Sequence, residues 1–365
     1  MNQKTLGIVS APGLAEAKSR NLKDILQESL EKEIPGETEW TVEVQVDRIV
    51  GSATLLKHIM DQTNRLKETN NWDGAIAVTD LPVFHKKSAV LSDINIDQEV
   101  AQISLPAFGS MPTTKNLKNT IIHIVKELTY RHMDEKENVR FVHKGIGIQE
   151  THKDEKRFEK LAKVFHFTAI QRHELDKPSG GVSVRFLLRP KINGKLKILF
   201  GMMMLNRPWS IIPSFKKVIG LAFATGSYMI IFNTLWQMSA VYETPRFIAL
   251  MLLAMFAMVV WIIFAHNLWE KKSDNYGSDE LYKMYNLATI LTLSFSVILF
   301  YIAMFILFLF AVGVFVPDKT FEDVVQQNIH FKDYVKLAWL VSSAATVAGA
   351  IGAGLENEDE VKRNA

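Results

Sequence analysis

The chain has 365 residues, with 42 Lys+Arg against 39 Asp+Glu, a formal net charge of +3, 48% hydrophobic and 22% charged residues, and no cysteine. The lack of thiols excludes disulfide frameworks, thiolate nucleophiles, zinc ribbons and Cys-ligated iron–sulfur clusters. Charge is unevenly spread: residues 1–217 hold 33 basic and 26 acidic side chains, whereas residues 218–365 hold 9 and 13. That split excludes a single soluble domain and predicts a soluble head followed by a membrane part.

Along the head, β-like and helical patterns alternate, the mark of an α/β layer fold. Residues 5–10 read as a short strand and lead through Ala11-Pro12-Gly13 into a helix over 14–33, with Leu22, Ile25, Leu26 and Leu30 at helical spacing. Val42, Val44 and Val46 alternate with Glu43, Gln45 and Asp47, which predicts a half-buried strand over 40–50. Ser52 is placed as the N-cap of a helix carrying Leu55, Leu56, Ile59, Met60 and Leu66. Buried strands are expected over 74–79 and 99–105, with a loop or hairpin over 83–96 between them. Amphipathic helices are expected over 116–133 and 153–175, the second with Phe158, Leu161, Phe165 and Ala169 on one stripe.

Ligands of open α/β sheets collect beyond the carboxyl ends of the strands, so the loops 10–13, 51–52, 79–82 and 106–110 are the candidate site. Ser10 and Gly13 stand where a helix start offers backbone N–H groups to an anion, although the turn has neither G-x-G-x-x-G nor a P-loop pattern. Asp80 and His85 form a candidate base or metal pair; a lone Asp after a strand also serves as a turn residue.

The strand over 75–80, the strand over 100–105 and the helix after them resemble zincin-type metalloproteases of the archaemetzincin kind. That resemblance implies H-E-x-x-H on the helix, because His at i and i+4 face the same way and share one zinc. Here His123 and His132 stand nine residues apart, on opposite sides of a helix, so no metal, cofactor or catalytic residue is predicted. The whole chain also resembles a family of bacterial membrane proteins with an N-terminal soluble α/β domain and four C-terminal transmembrane helices.

Residues 177–217 carry nine Lys/Arg and no acid. Strands over 182–189 and 196–205 flank Ile192-Asn193-Gly194-Lys195, and Asn-Gly predicts a β-hairpin turn. Arg185, Arg189, Lys191, Lys195, Lys197, Arg207, Lys216 and Lys217, with Trp209, are expected at anionic lipid headgroups. A nearby bilayer makes lipid, rather than nucleic acid, the partner of these charges. Pro208 and Pro213 delay any regular helix to Ser214, which predicts an elbow on the inner leaflet.

Four runs without Asp, Glu, Lys or Arg follow, over 218–240, 247–268, 287–316 and 337–355, each near the roughly 20 residues that a bilayer core demands. The basic approach segment and the absence of a signal-like N-terminal stretch predict a multi-pass protein of the bacterial cytoplasmic membrane with both termini cytoplasmic. Ala345, Gly349 and Ala353 repeat a small residue every fourth position, which predicts a homo-oligomer joined through the last span, with tight packing against a sibling span of the same chain as the alternative. Apart from His266 near the end of the second run, the spans carry no acidic or basic side chain, which argues against an ion-coupled transporter. The expected domains are 1–176, a cytosolic α/β domain; 177–217, the basic hairpin and elbow; 218–355, the four-helix transmembrane domain; and 356–365, a cytosolic tail. The expected function is a self-associating binding or scaffold module, arranged in one version around a passive pore. The alternative is a membrane-tethered hydrolase or degenerate zincin-like enzyme with its site near Asp80.

Overall fold

Leu6, Ile8 and Val9 are buried along strand β1 (Asn2–Ser10), as in a strand covered on both faces at the centre of a parallel sheet. The structure, a computed structural model, describes residues 2–34, 38–51, 56–85, 88–109, 114–129, 169–179, 181–211, 216–271 and 279–353. The remaining strands are β2 (Thr38–Val46), β3 (Gly74–Thr79), β4 (Val83–His85), β5 (Ser88–Asn95), β6 (Val100–Ser104), β7 (Ala169–Ser179) and β8 (Val182–Arg189). They form one mixed sheet in the order β2-β1-β3-β6-β5-β8-β7, with β4 added to β5. β2, β1, β3 and β6 run parallel, whereas β5, β8 and β7 extend the sheet antiparallel.

Helix α1 (Leu14–Glu33) buries Ala15, Ser19, Leu22, Leu26 and Leu30, a stripe of three- and four-residue steps. Each of its buried leucines stabilises the head by about 1.5–3 kcal/mol. The chain moves from β1 outward to β2, then through α2 (Leu56–Thr69) back across to β3, so right-handed crossovers put α1 and α2 on opposite faces. Helix α3 (Thr114–Thr129) lies beside α1, where Lys126 pairs with Glu33 at 2.9 Å.

Two expectations are corrected here. Residues 169–175 belong to β7 and not to a helix, because they pair with β8 from Ala169↔Arg189 to Glu174↔Val184; the rest of the expected helix, 153–168, lies outside the described residues, as do Ser52 and His132. Second, β8 is followed by helix α4 (Lys191–Leu205) instead of a second hairpin strand. Pro190 ends the strand, and Gly194, Ile198, Gly201 and Met202 are buried at helical spacing. The glycines of this segment serve packing: a Cβ on Gly201 would sit 2.2 Å from the Pro106 carbonyl oxygen, and one on Gly194 3.0 Å from Leu188 Cβ. The hairpin of this region is β7–β8 itself.

The chain divides into two compact units, Met1–Leu205 with Lys272–Met284 and Asn206–Lys271 with Tyr285–Ala365. The basic segment up to Leu205 therefore belongs to the α/β unit. The second unit contains α5 (Lys216–Ile230), α6 (Asn233–Val241), α7 (Thr244–Ala265), most of α8 (Asp279–Phe315), α9 (Asp318–Val325) and α10 (Phe331–Ala353). Among the described residues three helices are long and apolar enough to cross a membrane: Thr244–Ala265, Leu281–Phe315 and Phe331–Ile351. The first expected span is instead broken, α5 and α6 meeting at an 87° bend. The indole Nε1 of Trp236 donates to the Ile230 carbonyl at 2.8 Å, satisfying an acceptor that the helix end leaves open.

This unit is apolar outside and hydroxyl-bearing inside. Phe256, Phe264 and Phe310 are 68%, 75% and 73% exposed, while Ser296, Ser342 and Thr346 are buried and donate to the carbonyls four residues before them. Such an arrangement suits a hydrocarbon surround, where backbone and hydroxyl groups must be satisfied within the protein.

Candidate functional site

β2 lies on one side of β1 and β3 on the other, so the strand order reverses between β1 and β3. The crevice beyond their carboxyl ends is the position at which open α/β sheets hold ligands. Three loops converge there. Thr79 Oγ1 donates to the Val50 carbonyl at 2.6 Å and accepts the Leu81 N–H at 3.1 Å, fastening the turn after β3 to the loop after β2. A Cβ on Gly51 would lie 3.1 Å from Ala11 Cβ and 3.6 Å from Asp80 Oδ1. Asp80 Oδ1 is buried and has no hydrogen-bond partner among the described residues. Burial pushes the Asp80 carboxyl above its ordinary value, against a smaller opposing pull from its backbone hydrogen bond.

Ser10 does not face this crevice: it is fully buried, and its hydroxyl donates to Ser19 Oγ of α1 at 2.7 Å. Gly13 is exposed at the start of α1, which has no side-chain cap. His85 lines a recess with Ser88, His173, Arg185 and Arg189, and Asp80 is not among its walls. No group of three or more His, Asp and Glu placed to hold a metal occurs among the described residues.

A polar row, buried at Gln102, Asp93 and Arg185 and exposed at His173, crosses the antiparallel half of the sheet. Register aligns Gln102 of β6, Asp93 of β5, Arg185 of β8 and His173 of β7. Arg185 Nε donates to Asp93 Oδ1, and Gln102 Nε2 approaches Asp93 Oδ2 at 3.5 Å. Burial pushes the Asp93 carboxyl up, and the Arg185 guanidinium and Gln102 amide draw it back. The assignment of Arg185 to lipid headgroups is therefore corrected: it is buried in an ion pair. The alternation of Ser183, Arg185, Leu187 and Arg189 with Val182, Val184, Phe186 and Leu188 was the available sign that Arg185 belongs to a sheet face.

The other expected lipid contacts divide. Lys197 lays its stem near Gly109, and burial lowers its ammonium below the ordinary value. Lys191, Arg207, Trp209, Lys216 and Lys217 are exposed, while Arg189 and Lys195 are half-buried. Sequence reasoning missed the outward stripe Ile192, Leu196 and Phe200 on α4, although its four-residue spacing is visible once the strand assignment is dropped.

Ala345 and Gly349 are buried within one chain. A Cβ on Gly349 would lie 3.2 Å from Ala222 Cβ of α5 and 3.3 Å from Phe300 Cζ of α8, so the groove expected to receive a second copy holds the chain's own helices. The side chain of Ala353 lies outside the described residues. Compared with known proteins, the chain matches no protein-family model, no curated protein and no solved structure.

Proposed function

We propose that the chain is a membrane-anchored binding module whose α/β head rests on anionic lipid through α4. One observation carries this reading: Ile192, Leu196 and Phe200, 74%, 48% and 42% exposed, form an outward apolar stripe on a helix whose opposite face is already packed into the head. A helix apolar on both faces needs cover on both. Lys191 and Lys195 border the stripe, and residues 206–215 join α4 to α5 with a reach of at most about 35 Å. A bilayer surface is therefore the nearest apolar and anionic cover. Each stripe residue contributes at most about 1.5–3 kcal/mol on burial, and each lysine about 1 kcal/mol near anionic lipid. Hydrogen exchange on the protein in nanodiscs tests this: amides of residues 191–205 should exchange more slowly with anionic than with zwitterionic lipid. Equal exchange in both counts against it.

In the same reading α5 and α6, apolar enough only as a pair, together form one broken crossing, and Glu243 and Arg246 mark the far surface at the start of α7. The result is four crossings with both termini on the cytoplasmic side. A second reading, a membrane-tethered hydrolase, is favoured by the unpartnered Asp80 Oδ1 in the strand-end crevice. It requires turnover of nitrophenyl esters or phosphates by the purified protein that Asp80→Asn abolishes.

A further inference from the structure

We infer that the recess between β4, β7, β8 and the start of α4 binds a phosphate monoester. It has a volume of about 210 Å³, with Leu175 and Leu187 supplying apolar wall and the remaining lining side chains polar or cationic. That size is below the roughly 300–1,000 Å³ of pockets for drug-sized ligands and suits a single small head group. The sheet register explains why the charges meet. His173 pairs with Arg185 across β7 and β8, Arg185 and Arg189 point to one face of β8 by two-residue alternation, and His85 pairs with Ser88 across the β4–β5 hairpin.

The charge balance there points to an anion. Arg185 is neutralised by Asp93 through Nε, and neither of its terminal nitrogens has a partner among the described residues. Among the described residues Arg189 donates to the neutral Gln171 Oε1 at 3.2 Å, and neither Arg189 nor Lys191 has a carboxylate partner among them. Lys191 is also the first residue of α4, whose N-terminal end is the positive end of its dipole. Two forked guanidiniums, an ammonium and a hydroxyl match the charge of about −1.5 to −2 and the three acceptor oxygens of a phosphate monoester. A carboxylate offers half that charge.

The phosphate comes either from a soluble ester or from a lipid head group, and the test separates them. The full-length protein in zwitterionic nanodiscs is titrated with glycerol 3-phosphate by calorimetry, and its melting temperature is compared in nanodiscs carrying phosphatidic acid or phosphatidylglycerol at matched total charge. The comparison variant is His173→Gln with Arg189→Gln, which leaves α4 unaltered, so failure here is distinct from failure of the lipid-docking reading. Both residues are exposed or half-buried, and an unchanged melting temperature without ligand checks that the variant folds; Arg189→Lys, which keeps the charge but loses the fork, serves as the milder second variant. A soluble-ester site is supported by binding that weakens at least tenfold in the double variant and less in Arg189→Lys. A lipid site is supported by a melting shift specific to phosphatidic acid that both variants reduce in the same order. Absence of both responses, or responses that survive the double variant, overturns the proposal.

Discussion

Burial without a partner for Oδ1 holds the Asp80 carboxyl above its ordinary value, so ionising it costs more in the folded head than in the unfolded chain. A raised acid stabilises the fold fully below the carboxylate's unfolded value, and that contribution is lost as pH rises through the folded value. At pH 8 Asp80→Asn should therefore raise the melting temperature of the head, and the gain should shrink toward pH 4. A variant that melts lower at pH 8 would mean that the carboxylate has a stabilising partner. The Asp80 crevice was legible in the sequence because a strand-end loop is a local feature, read from a few neighbouring residues. The pairing of Arg185 was not: local alternation places it on a sheet face, but its partner Asp93 lies 92 positions away and nothing near Arg185 points to it. His85 was paired with Asp80 by nearness in sequence, whereas the β4–β5 hairpin carries it to another recess.

Packing between elements decides the role of the small residues in α10. Replacing Gly349 by Leu drives a side chain into Ala222 and Phe300, and overpacking of this kind costs about 1–3 kcal/mol. The expected outcome is a lower melting temperature of the detergent-solubilised protein with no change in particle mass by light scattering. A smaller particle with unchanged melting would return the stripe to a self-association role. The α5–α6 bend makes a second prediction. If the pair is one broken crossing, reporter fusions at the two termini give the same sidedness; opposite sidedness would leave only the three unbroken helices as crossings. Helices 14–33 and 244–265 were readable from periodicity and from continuous apolarity, signals each element carries alone. α4 was not, because Asn193-Gly194 is a strong turn signal and the need for Gly194 and Gly201 appears only when Leu188 and Pro106 are packed against them. β7 was obscured by helical spacing upstream, and its strand character depends on pairing with β8.

At the scale of the molecule, the difference in charge between residues 1–217 and 218–365 separated a soluble part from an apolar one, and the structure contains an α/β unit and a helical unit with three helices fit to cross a membrane. The α/β unit runs through Leu205, because α4 packs on β5, β8 and the turn around Pro106. The central claim is that this head lies on anionic lipid through the outward stripe of α4. The chain has no cysteine, so Leu196→Cys carries a single environment-sensitive fluorophore without further engineering, and Lys32→Cys on the exposed side of α1 is the control. In vesicles containing phosphatidylglycerol the label at 196 should move to an apolar spectrum, and it should return toward the aqueous one in neutral vesicles or in about 0.5 M salt, where charges are screened within about 4 Å. The label at 32 should stay aqueous throughout. A label at 196 that remains as aqueous as the control in anionic vesicles, or that is apolar regardless of lipid and salt, would contradict the account.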